Sequence, residues 1–146
     1  MKLVVVVMGY VGTPVAALFA DVPGFKVTGI QRRSARSAWK IDALNQGKTV
    51  IEAEEPGLPE LIKRVHDKGT SHVTDDLAEY RDADAIIIAV QTPVNENYVP
   101  QYESLKQVLA DIGDNMRKGV LICLESMVAP GTTNRAPSLH WRSIAT

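Results

Sequence analysis

Gly9 and Gly12 stand three residues apart behind a run of valines, in the stretch VVVVMGYVG. That spacing supplies two of the three glycines of a GxGxxG phosphate turn, with Val7 in the place of the first. In such a turn the first glycine makes the tight exit from a strand, the second lets backbone approach a diphosphate, and the third lets helix and strand pack closely. The two glycines kept are those for anion approach and helix packing, so N–H groups at the helix start can still face a diphosphate. If the exit requires a positive φ, a β-branched Val7 there is an outlier costing about 1–3 kcal/mol, and a reshaped loop with weaker affinity is the expectation. Taken alone, the stretch reads equally well as a strand and a turn with packing glycines.

A second position bears on the same chemistry. An acidic residue about twenty residues on, at the end of the next strand, would hold the ribose hydroxyls. Gln31 occupies that place. A carboxamide can hydrogen-bond a hydroxyl and does not repel a 2′-phosphate, and Arg32, Arg33 and Arg36 follow it. The combination admits NADP beside NAD, unless the arginines form only a solvated face. No metal site is expected, because His66, His72 and His140 show no ligand spacing with Cys123. Cys123 itself lies in the apolar run VLICLE and is expected as a buried, structural thiol.

The elements that must position these residues follow from periodicity. Residues 3–7 are a continuous β-branched run suited to a strand covered on both faces and 85–90 a fully apolar strand, 25–30 and 120–124 read as two further strands, and 72–74 as a brief one. Helices are expected over 13–20, from a Ser34 cap to about Gln46, from Leu58 to Lys68, from an Asp75 cap to about Arg81, and over 103–117. The last carries Leu105, Val108, Leu109, Ile112 and Met116 on one face. Alternating strands and helices imply an α/β fold, a doubly wound Rossmann-like parallel sheet in three αβα layers. A dinucleotide-binding domain is expected over 1–134, with 135–146 a tail that looks like a severed continuation.

Composition narrows the partners. The 146 residues carry a net charge of −1, which gives no global attraction to nucleic acid or to an anionic membrane. Residues 3–20 carry no charge and would suit a membrane or signal segment, but Gly9, Gly12 and Pro14 interrupt them and no small-x-small cleavage site follows. The single cysteine fits a reducing, cytoplasmic setting.

Four stretches, MGYVGTPVA, IDALNQGKTVIEAEEPGLPELI, AIIIAVQTPV and LICLESMVAPGTT, together resemble the N-terminal NAD-binding domain of the UDP-glucose/GDP-mannose dehydrogenase family. The resemblance is strongest to its branch acting on N-acetylated nucleotide hexosamines or their uronic acids, and it runs from about Lys2 to Thr133. It implies that Gly9, Tyr10, Val11 and Gly12 line the pyrophosphate, that Gln31 holds the ribose position, and that Arg36, beside Arg32, lies near the adenosine. It also implies that Thr92 and Pro93 lie along the cofactor and that Glu125 and Ser126 mark the end of the next strand. Family members oxidise the C6 alcohol of a nucleotide sugar to a uronic acid, with two hydride transfers to NAD and a cysteine-bound intermediate. Their nucleophilic cysteine, general-base lysine and sugar contacts fall in segments beyond Thr146, as does much of their oligomer contact. This chain is therefore expected to bind NAD, with NADP a second candidate, and to be inactive alone. Met127 departs from the family's threonine and removes a hydroxyl near the nicotinamide. A non-catalytic, degenerate nucleotide-binding module is the alternative expectation.

Overall fold

The valine run becomes the middle of the molecule. In a computed structural model describing residues 1–52 and 55–135, β1 (Lys2–Val6) pairs in parallel with β2 (Lys26–Ile30) on one side and with β4 (Ala85–Ile88) on the other. β3 (Ser71–Thr74) and β5 (Leu121–Leu124) close the two edges, giving five parallel strands in the order β3-β2-β1-β4-β5. Side chains alternate across a strand, so Leu3 and Val5 enter one core while Val4 and Val6 enter the other. The first core is covered by α1 (Gly12–Asp21), α2 (Ala38–Leu44) and α3 (Leu58–Asp67) through Ala16, Ile41 and Ile62. The second is covered by a 3-10 turn (Leu77–Tyr80) and α4 (Glu103–Asn115), through Tyr80, Leu105 and Ile112. A short α5 (Thr132–Arg135) ends the described part, and residues 136–146 of the expected tail lie outside it. This is the expected doubly wound sheet in three layers. No helix among the described residues is long and apolar enough to cross a membrane.

Several boundaries differ from expectation for local reasons. β1 stops at Val6 because Val7 turns to φ +72, although its N–H still reaches Ile30 O at 2.8 Å. The helix expected from Ser34 starts only at Ala38: the hydroxyls of Ser34 and Ser37 pair at 2.7 Å, and Ser37 Oγ donates to Arg32 O at 2.6 Å. Both serines thus bond within the loop and neither caps the helix. Asp76, one residue after the expected Asp75, accepts from Ala78 N–H at 2.9 Å, and it starts a 3-10 turn instead of an α-helix.

Cys123 is exposed, which corrects the expectation of a buried thiol. An apolar run shows that a strand will be buried on at least one face, and here β5 shows an alternating pattern. Ile122 and Leu124 pack toward the second core, while Leu121 and Cys123 face away from it.

Two polar or steric devices fix the frame. The Asn45 side chain, just past α2, donates to Val73 O at 2.7 Å and accepts from Val73 N–H at 2.8 Å, standing where a further strand would pair with β3. Gly12 opens α1 against the end of β1, where a Cβ would lie 2.0 Å from Val7 O. Replacing Asn45 by Ala strips two hydrogen bonds from β3 and should lower the urea unfolding free energy by about 2 kcal/mol. Gly12→Ala forces helix and strand apart and should lower it by about 3 kcal/mol or more in the same measurement.

Candidate functional site

At the carboxyl end of the sheet the loops after four of the strands converge on one groove of about 530 Å³. Val7, Gly9, Tyr10 and Val11 come from the β1–α1 turn, and Gln31 from the end of β2. Residues 89–93 follow β4, and Glu125, Ser126 and Met127 follow β5. Connections leave β1 toward β2 on one side and return to β4 on the other, so the groove lies at the topological switch point where open α/β sheets bind ligands.

Among the described residues, the turn presents unpaired amides to the groove. Val7 takes the left-handed conformation that favours glycine, which keeps the tight exit at an expense of about 1–3 kcal/mol. Gly9 N–H then folds back on Val7 O at 3.1 Å, and Thr13 N–H on Gly9 O at 3.0 Å. Among the described residues, the amides of Tyr10, Val11 and Gly12 find no protein acceptor. α1 has no acidic residue in its first turn and no side-chain cap, so its positive end faces the groove without an internal counter-charge. A Cβ built on Gly9 would meet nothing within 4 Å, in contrast to Gly12. The protein does not need a glycine at position 9 for its own packing; the open space belongs to the groove.

Gln31 is turned inward and is only 8 % exposed. Its Oε1 accepts from Met8 N–H at 3.0 Å and its Nε2 donates to Arg32 O at 3.4 Å, so the carboxamide braces the glycine turn while lining the groove. Thr92 Oγ1 donates to Met127 O at 2.6 Å, tying the loop after β4 to the loop after β5. That bond uses the Met127 backbone, so the thioether does not disturb it; the side chain stands 89 % exposed at the groove's rim. Ser126 Oγ is buried with no partner among the described residues. An orphaned hydroxyl costs about 1–3 kcal/mol unless a ligand or water completes it.

Of the residues singled out by sequence, Gly9, Tyr10, Val11, Gln31, Thr92, Pro93, Glu125 and Ser126 line the groove, and Gly12 supports it from beneath. Arg32 and Arg36 do not line it. Arg32 pairs with Asp111 and Arg33 with Asp75, both at 3.1 Å, beside a neighbouring hollow under Tyr80 and Val108. Sequence reasoning missed Lys40, which α2 brings to the groove with Nζ 3.4 Å from Met8 O. Its only signal was the position on the helix after Gln31.

Comparison with known proteins places this geometry. Residues 1–143 match the model of the UDP-glucose/GDP-mannose dehydrogenase family, NAD binding domain. The solved structure of an NDP-N-acetyl-D-galactosaminuronic acid dehydrogenase from Methanosarcina mazei Go1 superposes with a TM-score of 0.89 at 40% identity, covering 95% of this chain and 30% of that one. A UDP-N-acetyl-D-mannosamine dehydrogenase of Pyrococcus horikoshii is 32% identical over 139 residues, 95% of this chain and 31% of the relative. A ternary complex of GDP-mannose dehydrogenase from Pseudomonas aeruginosa gives a TM-score of 0.83 at 30% identity, covering 96% and 32%. The chain thus spans roughly a third of the length of the relatives it matches.

The one cysteine lies apart from the groove lining. Cys123 Sγ donates to Glu125 Oε1 at 3.3 Å, and that hydrogen bond, with partial burial and the carboxylate's charge, raises the thiol pKa above its ordinary value. Exposure therefore does not make it a ready nucleophile. Alkylation by iodoacetamide at pH 8 should run slower than for a cysteine-containing peptide, and Glu125→Gln should speed it by replacing a charged acceptor with a neutral one.

Proposed function

Because this chain belongs to the UDP-glucose/GDP-mannose dehydrogenase family, whose members are NAD-dependent nucleotide-sugar dehydrogenases, and is its NAD-binding domain, we propose that it supplies the cofactor half of the oxidation of a nucleotide-sugar C6 alcohol to a uronic acid. The sugar is of the UDP-N-acetylhexosamine type, and the oxidation consumes two NAD. The observation that carries this reading is the cluster of acceptor-free amides at Tyr10, Val11 and Gly12 beside the open face of Gly9. Those groups suit a diphosphate by charge and by shape. The orphaned Ser126 hydroxyl, on a residue of the same groove lining, would fit such an occupant as a further hydrogen-bonding group.

When bound, NAD supplies the hydride acceptor. The chain's own residues do the positioning. The amides of the β1–α1 turn would hold the diphosphate, Gln31 keeps that turn in place from β2, and the Thr92 bond to Met127 O fixes the loops after β4 and β5 against each other. The resemblance to the family assigns the nucleophile and base to segments other than this domain, and Cys123, outside the groove lining with its thiol pKa raised by Glu125, does not take the nucleophile's place. The site works in the cytoplasm, and assembly with further copies runs through those other segments.

Gly9→Ala separates a working site from a packing turn. The variant should keep its unfolding free energy within about 1 kcal/mol, since nothing in the protein opposes the added methyl. Calorimetry should show NAD binding to the wild-type chain and a loss of about tenfold or more in the variant, where the methyl blocks close approach of the diphosphate. Unchanged affinity, or no heat with the wild type, would leave a non-catalytic module. Formation of NADH from a UDP-hexose with this chain as the sole protein would overturn the claim that it is inactive alone.

A further inference from the structure

We propose that the end of the groove between Gln31 and Lys40 accepts a phosphate on the ribose 2′-oxygen, with Lys40 as the cation that binds it, so that the domain takes NADP(H) as well as NAD(H). The inference rests on reading the groove as a dinucleotide site.

The first ground is what stands at the end of β2. A carboxylate there accepts the ribose hydroxyls and repels a phosphate. Gln31 carries no charge, and its carboxamide is not free to swing away, because Met8 N–H holds Oε1 at 3.0 Å and the side chain is buried. The repulsive element is thus replaced by a fixed neutral one.

The second ground is which cation faces that place. Proximity in sequence favours Arg32 and Arg33, but both are engaged, by Asp111 and Asp75, over a different hollow. Arg36 is exposed and does not line the groove. Lys40 lines it. Its ammonium has three donors, and the bond it makes, to Met8 O at 3.4 Å, is at the long limit of hydrogen bonding. Two donors remain for an anion.

The third ground is the sign of the surroundings. Among the described residues that line the groove the one carboxylate is Glu125, which follows β5, across β1 and β4 from Gln31. The Gln31 end therefore holds a cation, the positive end of α1 and no carboxylate in its lining. A phosphate dianion is attracted there, and a charge-assisted bond to Lys40 adds to the attraction.

The test compares two small probes that differ only by the phosphate in question, 5′-AMP and 2′,5′-ADP, together with NAD and NADP, by calorimetry on the whole chain. 2′,5′-ADP should bind about tenfold tighter than 5′-AMP, and NADP at least as tightly as NAD. Lys40→Met should reduce the ratio of 2′,5′-ADP to 5′-AMP affinity about tenfold, and Lys40→Arg should restore most of it. Gln31→Glu keeps an acceptor for Met8 N–H while adding a negative charge, and should invert the ratio. Equal or weaker binding of 2′,5′-ADP, with 5′-AMP and NAD still bound, would overturn this inference and leave the NAD reading standing. A ratio undiminished in Lys40→Met would remove Lys40 as the phosphate ligand. No binding of any of the four compounds would overturn both readings. Should Lys40→Met fail to fold, the wild-type ratio and Gln31→Glu decide alone.

Discussion

The carbonyl oxygen of Val7 lies so close to Gly12 that a single methyl group on that residue would sit 2.0 Å from it. This contact joins the end of the central strand to the start of α1 and sets where the helix begins. Because α1 starts there, its amide end opens onto the carboxyl edge of the sheet, and the loops after β2, β4 and β5 are brought to the same place by their pairing around β1. Val7 reaches the geometry through a left-handed backbone that its β-branched side chain opposes. The surrounding structure over-determines it: Val7 N–H is bonded to Ile30 O, and Gly9 N–H to Val7 O. The strain is local: Val7 itself adopts the left-handed backbone that a glycine in its place would take without strain.

Much of the frame was legible in the chain because it depends on patterns that a sequence displays directly. Continuous valine and isoleucine runs marked the central strands, which are covered on both faces. The spacing of Leu105 and Ile112 marked the buried face of α4. What was not legible depended on choices among equivalent groups. Ser34, Ser37, Asp75 and Asp76 are all good caps, and which one bonds to which amide is decided by the path of the loop. Cys123 was misplaced for a related reason: hydropathy tells how apolar a strand is, while alternation along β5 tells which face is covered, and in a four-residue strand the second signal is too short to read.

The site divides the same way. Gly9, Gly12 and Gln31 could be found because each sits at a fixed offset from a strand end, Thr92 and Ser126 only through the family resemblance, and the ends of neighbouring parallel strands are necessarily close. Side-chain direction could not. Nothing in the order Gln31, Arg32, Arg33 says that the glutamine turns in and the arginines are drawn off by Asp111 and Asp75, since both carboxylates are more than forty positions away. Lys40 escaped notice because its reach to Met8 O depends on how α2 lies over the turn, and α2 began later than its serines had implied.

Asn45 has a further bearing on how the molecule lives among copies of itself. Gln31 N–H bonds Thr74 O and Val27 N–H bonds Thr70 O, so the amide and carbonyl of Val73 between them point outward from the rim of the sheet. Exposed groups of that kind are a template on which a foreign strand can be laid. By occupying both with one carboxamide, the protein covers the rim at Val73 using a side chain of its own. The same residue that steadies the fold thus guards the β3 flank against strand-by-strand aggregation.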